Sequence, residues 1–418
     1  MEPLPVRLLV ADDLGRNRVT VFFRLLLAIP HFIWFALWAI AAVFAAIANW
    51  FATLFSGAPP EGLHAFLARF IKYATHLDAY VHLVANPYPS FDGRDGYPID
   101  LVIDPPQRQN RWTVGFRVIL AIPALLLGGA LAGSPSASTG RSGSVSTGGL
   151  LSVVAILAWF VILARGRQSR GLRDAAAYGV AYQAQVLCYV LVLTDRYPNS
   201  DPERVLPELP SRLDPVDVED GGELRRSRLT VFFRLLLAIP HLIWLALWGV
   251  VTLIAAIASW FAALASGRTP DSLHRFIARY VRYQAHVYGF LYLVANPFPG
   301  FTGAAGSYPL EALIDEPRVQ NRWKVGFRVL LAIPALIIGG AFGGVLLAVA
   351  LLGWFAALVT GAMPRSLRNT GALAIRYHIQ TSAYLLLLTD AYPYSGPFHR
   401  AGAEEQIVQA PVPLPEAA

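Results

Sequence analysis

Charge and cysteine are what this 418-residue chain has least of. Cys188 is its one cysteine, which excludes an intrachain disulfide and any metal centre built on several thiolates. Only 15% of residues are charged against 55% hydrophobic, and mean hydropathy is +0.48. A soluble chain of this length needs more charge to cover its surface. Also missing are a phosphate loop, a dinucleotide-binding fingerprint, a nucleophile elbow and paired metal-binding histidines at helical spacing. No cofactor, no metal and no catalytic set are therefore expected. The net charge of +7 does not point to nucleic acid, because the basic residues sit mostly at the ends of apolar runs, where anionic headgroups favour them. No signal peptide is expected either, since Glu2, Arg7, Asp12 and Asp13 precede an apolar run too long for one.

What is present is one pattern written four times. The string TVFFRLLLAIPH at Thr20–His31 recurs unchanged at Thr230–His241, and related strings span Thr113–Ala124 and Lys324–Ala335. They align Arg24, Arg117, Arg234 and Arg328, and likewise Pro30, Pro123, Pro240 and Pro334. Further on come Trp50, Trp159, Trp260 and Trp354, each followed by Phe and then by Gly57, Gly166, Gly267 or Gly361. A second segment carries Tyr73, Tyr182, Tyr283 and Tyr377 and closes at Asn86–Pro89, Asp195–Pro198, Asn296–Pro299 and Asp390–Pro393. The expected fold is mainly α: a polytopic membrane protein of four two-helix units, about eight transmembrane helices at about 20 residues per crossing. The units are residues 1–95, 96–200, 201–305 and 306–394, with a disordered tail at 395–418. Units 1 and 3 are most alike, as are units 2 and 4, which implies pseudo-twofold halves. Segments 98–104 and 309–315 alternate apolar and polar residues and predict strands at the unit junctions. Residues 5–10 and 215–219 are weaker candidates.

Two crossings per unit put every junction on one side of the membrane. The positive-inside bias places that side and both termini in the cytoplasm of an inner plasma membrane protein. Residues 133–149, GSPSASTGRSGSVSTGG, are a hydrated linker that falls near the middle of the first helix of unit 2. Such backbone cannot lie in lipid, so that helix is split or re-entrant, or the insert fills an aqueous cavity.

The four arginines are candidates for an anionic lipid headgroup or another anion, beside the plainer reading of snorkelling at the interface. The repeated proline reads as a fixed kink. The second segment bears a polar stripe: Tyr73, His76 and Asp78 in unit 1, Tyr182 and Gln185 in unit 2, Tyr283 and His286 in unit 3, and Tyr377 and Gln380 in unit 4. Intramembrane polar groups are functional candidates by default and also hold helices together by hydrogen bonds. Asp78 has no ionisable counterpart in the other units; Lys72 or a nearby histidine is its expected partner. His31, His64 and His76 recur as His241, His274 and His286, without a metal-binding spacing. Gly128–Gly129 and Gly339–Gly340 read as close helix packing.

The ordered Arg–Pro–Trp-Phe–Gly–Asp–Tyr-Pro series, as in RLTVFFRLLLAIPHLIWLALWGVV, SWFAALASG and LLLLTDAYP, resembles a bacterial membrane family known as domain of unknown function 4389. The resemblance runs from Asn17 to Pro393, apart from the insert and the Asn endings of units 1 and 3. It implies membrane residence and the two-helix unit, and no activity. The expected function is a non-catalytic membrane component binding lipid or partner proteins; the alternative is a small-solute transporter or channel with its site between the halves.

Overall fold

The computed structural model describes residues 4–133, 149–207, 211–212, 214–220 and 223–400. The fold is mainly helical, and the four units share one plan. Each opens with a short helix: Arg18–Phe22, Arg111–Gly115, Arg228–Phe232 and Arg322–Gly326. Side chains of Asn17, Asn110, Ser227 and Asn321 accept from first-turn N–H groups and so start these helices. A one-residue break at Phe23, Phe116, Phe233 or Phe327 turns the chain into the long first helix. In units 2, 3 and 4 the break falls at this phenylalanine alone; unit 1 breaks again at Ala28, two residues before Pro30. Pro123, Pro240 and Pro334 lie inside unbroken helices, and Pro30 stands in the first turn of Ile29–Ser56, where its missing N–H costs nothing.

Ile29–Ser56, Arg234–Ser266 and Arg328–Thr360 are long and apolar enough to cross a membrane. In unit 2 the helix is divided into Arg117–Ala132 and Leu150–Arg165, with Gly133 against Gly149. Of the alternatives open for the insert, the helix is the split one; residues 134–148 lie outside the described residues. All four first helices stop at a glycine, Gly57, Gly166, Gly267 or Gly361, with φ between 70° and 83°. Only glycine takes that left-handed geometry without cost.

The second helices are Glu61–Val81, Arg170–Val190, Asp271–Leu291 and Arg365–Leu385. Each carries three or four Asp, Glu, Lys or Arg, so eight apolar crossings are not what the helices offer. Among the described residues three helices have the length and hydropathy of a span.

The second helices form a middle layer. The first helices pack on one side of it, and the first helices of units 2 and 4 also pack on each other. Paired strands lie on its other side. Val6–Val10 pairs antiparallel with Ile99–Ile103, and Val216–Asp220 with Leu310–Ile314. Alternation drives this: Val6, Leu8, Ile99 and Leu101 are buried, and their neighbours are more exposed. All four predicted junction strands are present, and they join equivalent segments of paired units.

The junctions do not share one end of this slab, which corrects the topology expected from counting crossings. The Gln109 N–H, at the start of unit 2, donates to the Gly57 carbonyl at the end of the first helix of unit 1, at 2.9 Å. Reciprocally, the Arg16 N–H donates to the Gly166 carbonyl at 3.3 Å. Units 3 and 4 repeat the exchange, Gln320 to Gly267 at 2.8 Å and Arg226 to Gly361 at 2.8 Å. Paired first helices thus run antiparallel, and each half is a reciprocal pair. Residues 395–398, expected to be part of a disordered tail, instead pack with Tyr394 against the second helices of units 2 and 4, where Arg376 donates to the Gly396 carbonyl and lies over the Phe398 ring. Tyr394 Oη donates to the buried Asp174 carboxylate, and Phe398 is buried. Residues 401–418 lie outside the described residues.

Candidate functional site

The four equivalent arginines are buried, at 1–2% exposure, which corrects their placement at a headgroup surface. Each turns inward to the frayed end of its unit's second helix. Arg24 donates to the carbonyls of Tyr80 at 2.9 Å and Ala85 at 2.8 Å, and Arg234 to those of Phe290 at 2.9 Å and Ala295 at 3.3 Å. Arg117 donates to the Thr194 carbonyl at 3.1 Å, Gln109 Oε1 at 2.6 Å and Asp195 Oδ1 at 3.2 Å. Arg328 donates to the Thr389 carbonyl at 2.8 Å and Gln320 Oε1 at 2.6 Å. Every guanidinium also lies over a ring, that of Tyr80, Tyr189, Phe290 or Tyr384, at 4.1–4.4 Å. The last carbonyls of a helix have no internal partner and carry partial negative charge, and a planar five-donor cation suits several of them at once. The Asn or Asp that closes the repeat joins this arrangement in units 1 and 2, where Asn86 Oδ1 and Asp195 Oδ1 both accept from the arginine of their unit, at 3.2 Å each; in unit 3 the Asn296 carbonyl accepts from Arg234, and in unit 4 Asp390 accepts from Lys324.

A second set of donors reaches the same ends from the opening segments, and sequence reasoning missed it. Arg16 donates to the Leu83 and Val84 carbonyls, and Arg226 to those of Leu293 and Val294. Gln109 and Gln320 do the same in units 2 and 4, donating to the carbonyls of Val192 and Leu387. The accepting residues Leu83, Val192, Leu293 and Leu387 all have φ of 61–65°, a left-handed geometry that costs a non-glycine residue about 1–2 kcal/mol. Branching at Cβ makes Val192 the most strained of the four. The Val192 side chain is also buried, at 1% exposure, so Val192→Gly is expected to destabilise the chain by about 1–2 kcal/mol, the lost packing outweighing the strain relieved, read as a lower unfolding midpoint in detergent; a higher midpoint would mean that the strain is the larger effect.

The tryptophans close the reciprocal pairs. Trp50 Nε1 donates to the Val114 carbonyl at 2.8 Å and Trp159 Nε1 to that of Val21 at 3.2 Å; Trp260 and Trp354 do the same to Val325 and Val231, at 2.9 and 3.1 Å. Arg18 and Arg228 then donate to the last-turn carbonyls of Ala164 and Val359. Equal spacing of Trp and the opening Arg in units 1, 3 and 4 was the available signal.

The polar stripe is spent on internal bonds. Tyr73 Oη lies 2.8 Å from His31 Nδ1 and Tyr283 Oη 2.7 Å from His241 Nδ1, tying second helix to first. Tyr377 Oη donates to the Ala335 carbonyl at 3.3 Å. Tyr182 is buried in the core beside Gly128. Three residues on from each tyrosine, His76 Nε2 is 3.1 Å from Asp100 and His286 Nε2 is 3.4 Å from Glu311, tying helix to strand. Burial lowers both imidazoles, His286 to about 4 with Arg282 adding to the effect, so both are neutral near pH 7. Gln185 Oε1 accepts from the Asn199 N–H, and Gln380 bridges the Val216 carbonyl and the Tyr394 N–H. Asp78 pairs with His82 at 2.7 Å, one helical turn on; Lys72 instead pairs with Asp95. No group of three His, Cys, Asp or Glu side chains that could hold a metal ion occurs among the described residues.

The two halves meet through the first helices of units 2 and 4, and through side chains of their second helices that reach the segment at Ser200–Asp201. Tyr178 Oη and Thr370 Oγ1 both donate to the Ser200 carbonyl, and Asn369 Nδ2 donates to Asp201 at 3.0 Å. Asp174, Tyr178 and Thr370 are buried at this junction, with 0–1% exposure.

Neither a curated protein nor a solved structure matches the chain. The model of one family, described as a domain of unknown function, DUF4389, matches four times, over residues 18–92, 146–200, 228–302 and 322–398. The first, third and fourth stretches take in Arg24, Arg234 and Arg328, whereas the second begins after Arg117. The chain belongs to the DUF4389 family, as four tandem copies paired two by two.

Proposed function

We propose that the chain is a non-catalytic component of the cell membrane that holds lipid with one face and offers the other to partner proteins. One observation carries the reading: exposed apolar and exposed charged residues are segregated. No large apolar residue on any second helix is exposed, whereas first-helix residues such as Phe44, Phe55, Ile243, Leu247, Leu347 and Phe355 are. Contiguous exposed apolar surface on this scale fits acyl chains. The opposite face carries Arg69, Asp92, Arg94, Arg275 and Arg279 in the open, which suits water and polar partners. The filled junction between the halves weighs against a transporter with its site there. The buried arginines leave anionic-lipid recognition without its first candidates.

The test is extraction and permeability. Membranes carrying the chain should keep it through strongly alkaline carbonate and release it to detergent. Proteoliposomes should pass small solutes no faster than empty vesicles. Release by carbonate would sink the membrane reading, and solute flux would restore the transporter.

A further inference from the structure

We infer that the first helices lie in the plane of the membrane, seated in one leaflet, and that the charged middle layer and strands stay outside the hydrocarbon. This rests on the membrane reading above and adds the manner of seating. The route of the chain carries it. Asn86 is held by Arg24 near the start of the first helix of unit 1, and Gln109 is bonded to Gly57 at its far end. Residues 87–108 therefore travel the length of that helix on the strand side, with Asp100 beside His76 and Ile103 beside Ala65 and Ala68. They hold five strand residues and otherwise non-helical backbone, with Asp92, Arg94 and Asp95 exposed.

If the first helix crossed the bilayer, this segment would cross with it. Each charge near mid-depth costs about 2.5–3.5 kcal/mol or more, and each unpaired backbone group several more. The second half repeats the route from Asn296, held by Arg234, to Gln320, bonded to Gly267. There Arg275 and Arg279 are exposed along the second helix between the two ends.

Length agrees. The helices Arg234–Ser266 and Arg328–Thr360 have 33 residues, about 50 Å at about 1.5 Å per residue, against a hydrocarbon core of about 30 Å. Spanning would need a tilt beyond the usual range of about 0–40°. Lying flat, such a helix buries its apolar face and leaves its neighbours wet, the geometry of interfacial helices. The division of the unit 2 helix between Ala132 and Leu150 then falls at the interface and not at mid-bilayer.

Sidedness tests this. In a Cys188→Ala background, single cysteines replace exposed Asp13 and Glu61, at opposite ends of the first helix of unit 1, and exposed Glu223 and Asp271 in unit 3. A membrane-impermeant maleimide is applied to intact cells and to inverted vesicles. All four sites should label from the same side. Labelling of Asp13→Cys and Glu61→Cys from opposite sides would overturn in-plane seating and leave the membrane reading standing. Loss of the chain on carbonate washing would overturn both. Oriented circular dichroism of the unaltered chain in aligned bilayers needs no substitution: first helices parallel to the surface are expected, and helices along the bilayer normal would overturn the inference.

Discussion

Replacing Arg328 with leucine is expected to destabilise the chain by about 3 kcal/mol or more, because buried acceptors left without a donor cost about 1–3 kcal/mol each. The Thr389 carbonyl and Gln320 Oε1 would both lose their donor, and the Tyr384 ring its cation. Leucine restores volume and none of these bonds. Lysine keeps the charge but not the fork that serves two acceptors, so Arg328→Lys should recover only part of the loss. Arg18→Ala is the control: its donor reaches a helix end in the open, where such a contact is worth about 0.3–1 kcal/mol. Unfolding midpoints in detergent separate the cases. A loss at Arg328 no larger than at Arg18 would mean the buried guanidinium does not hold the helix end.

Gly303→Ala should be at least as damaging. Gly303 has φ of 57°, and a Cβ there would lie 2.2 Å from the Arg279 carbonyl oxygen and 3.0 Å from Tyr283 Cβ. The nearer obstacle is helix backbone and cannot swing aside. Left-handed strain of about 1–2 kcal/mol adds to an overpacking cost of about 1–3 kcal/mol. Gly306→Ala isolates the first contribution, since Gly306 has φ of 69° and open space around it. Expression and melting of the two variants should differ clearly; equal behaviour would show that the 300–308 loop yields without harm.

The repeats, their helices and the four junction strands were legible because each is a local pattern repeated at fixed spacing. The manner of their assembly was not. Periodicity marks Ile29–Ser56 as a long apolar helix but says nothing of which end meets Gln109, so counting crossings put all junctions at one end. Arg24 stands in an apolar string, which suits an interface as well as a buried carbonyl cluster. What distinguishes them, the frayed end at Leu83–Asn86, lies about 60 residues away. The second helices looked membranous because their stripe of Tyr, His and Gln is sparse in charge. Their exposed faces, with Arg69 or with Arg275 and Arg279, mark the wet side only once the strands are in place. Asp78 and His82 were four apart, a spacing that already places them on one helical face.

The most direct test of a two-faced slab is a lipid-borne photoactivated probe in bilayers containing the chain, with attachment sites mapped by mass spectrometry. The account predicts adducts along Ile29–Ser56, Arg234–Ser266 and Arg328–Thr360, at residues such as Phe44, Leu247 and Leu347, and none on Arg275 or Arg279 of Asp271–Leu291. Adducts spread along the exposed face of Asp271–Leu291 would place that helix in lipid and contradict it.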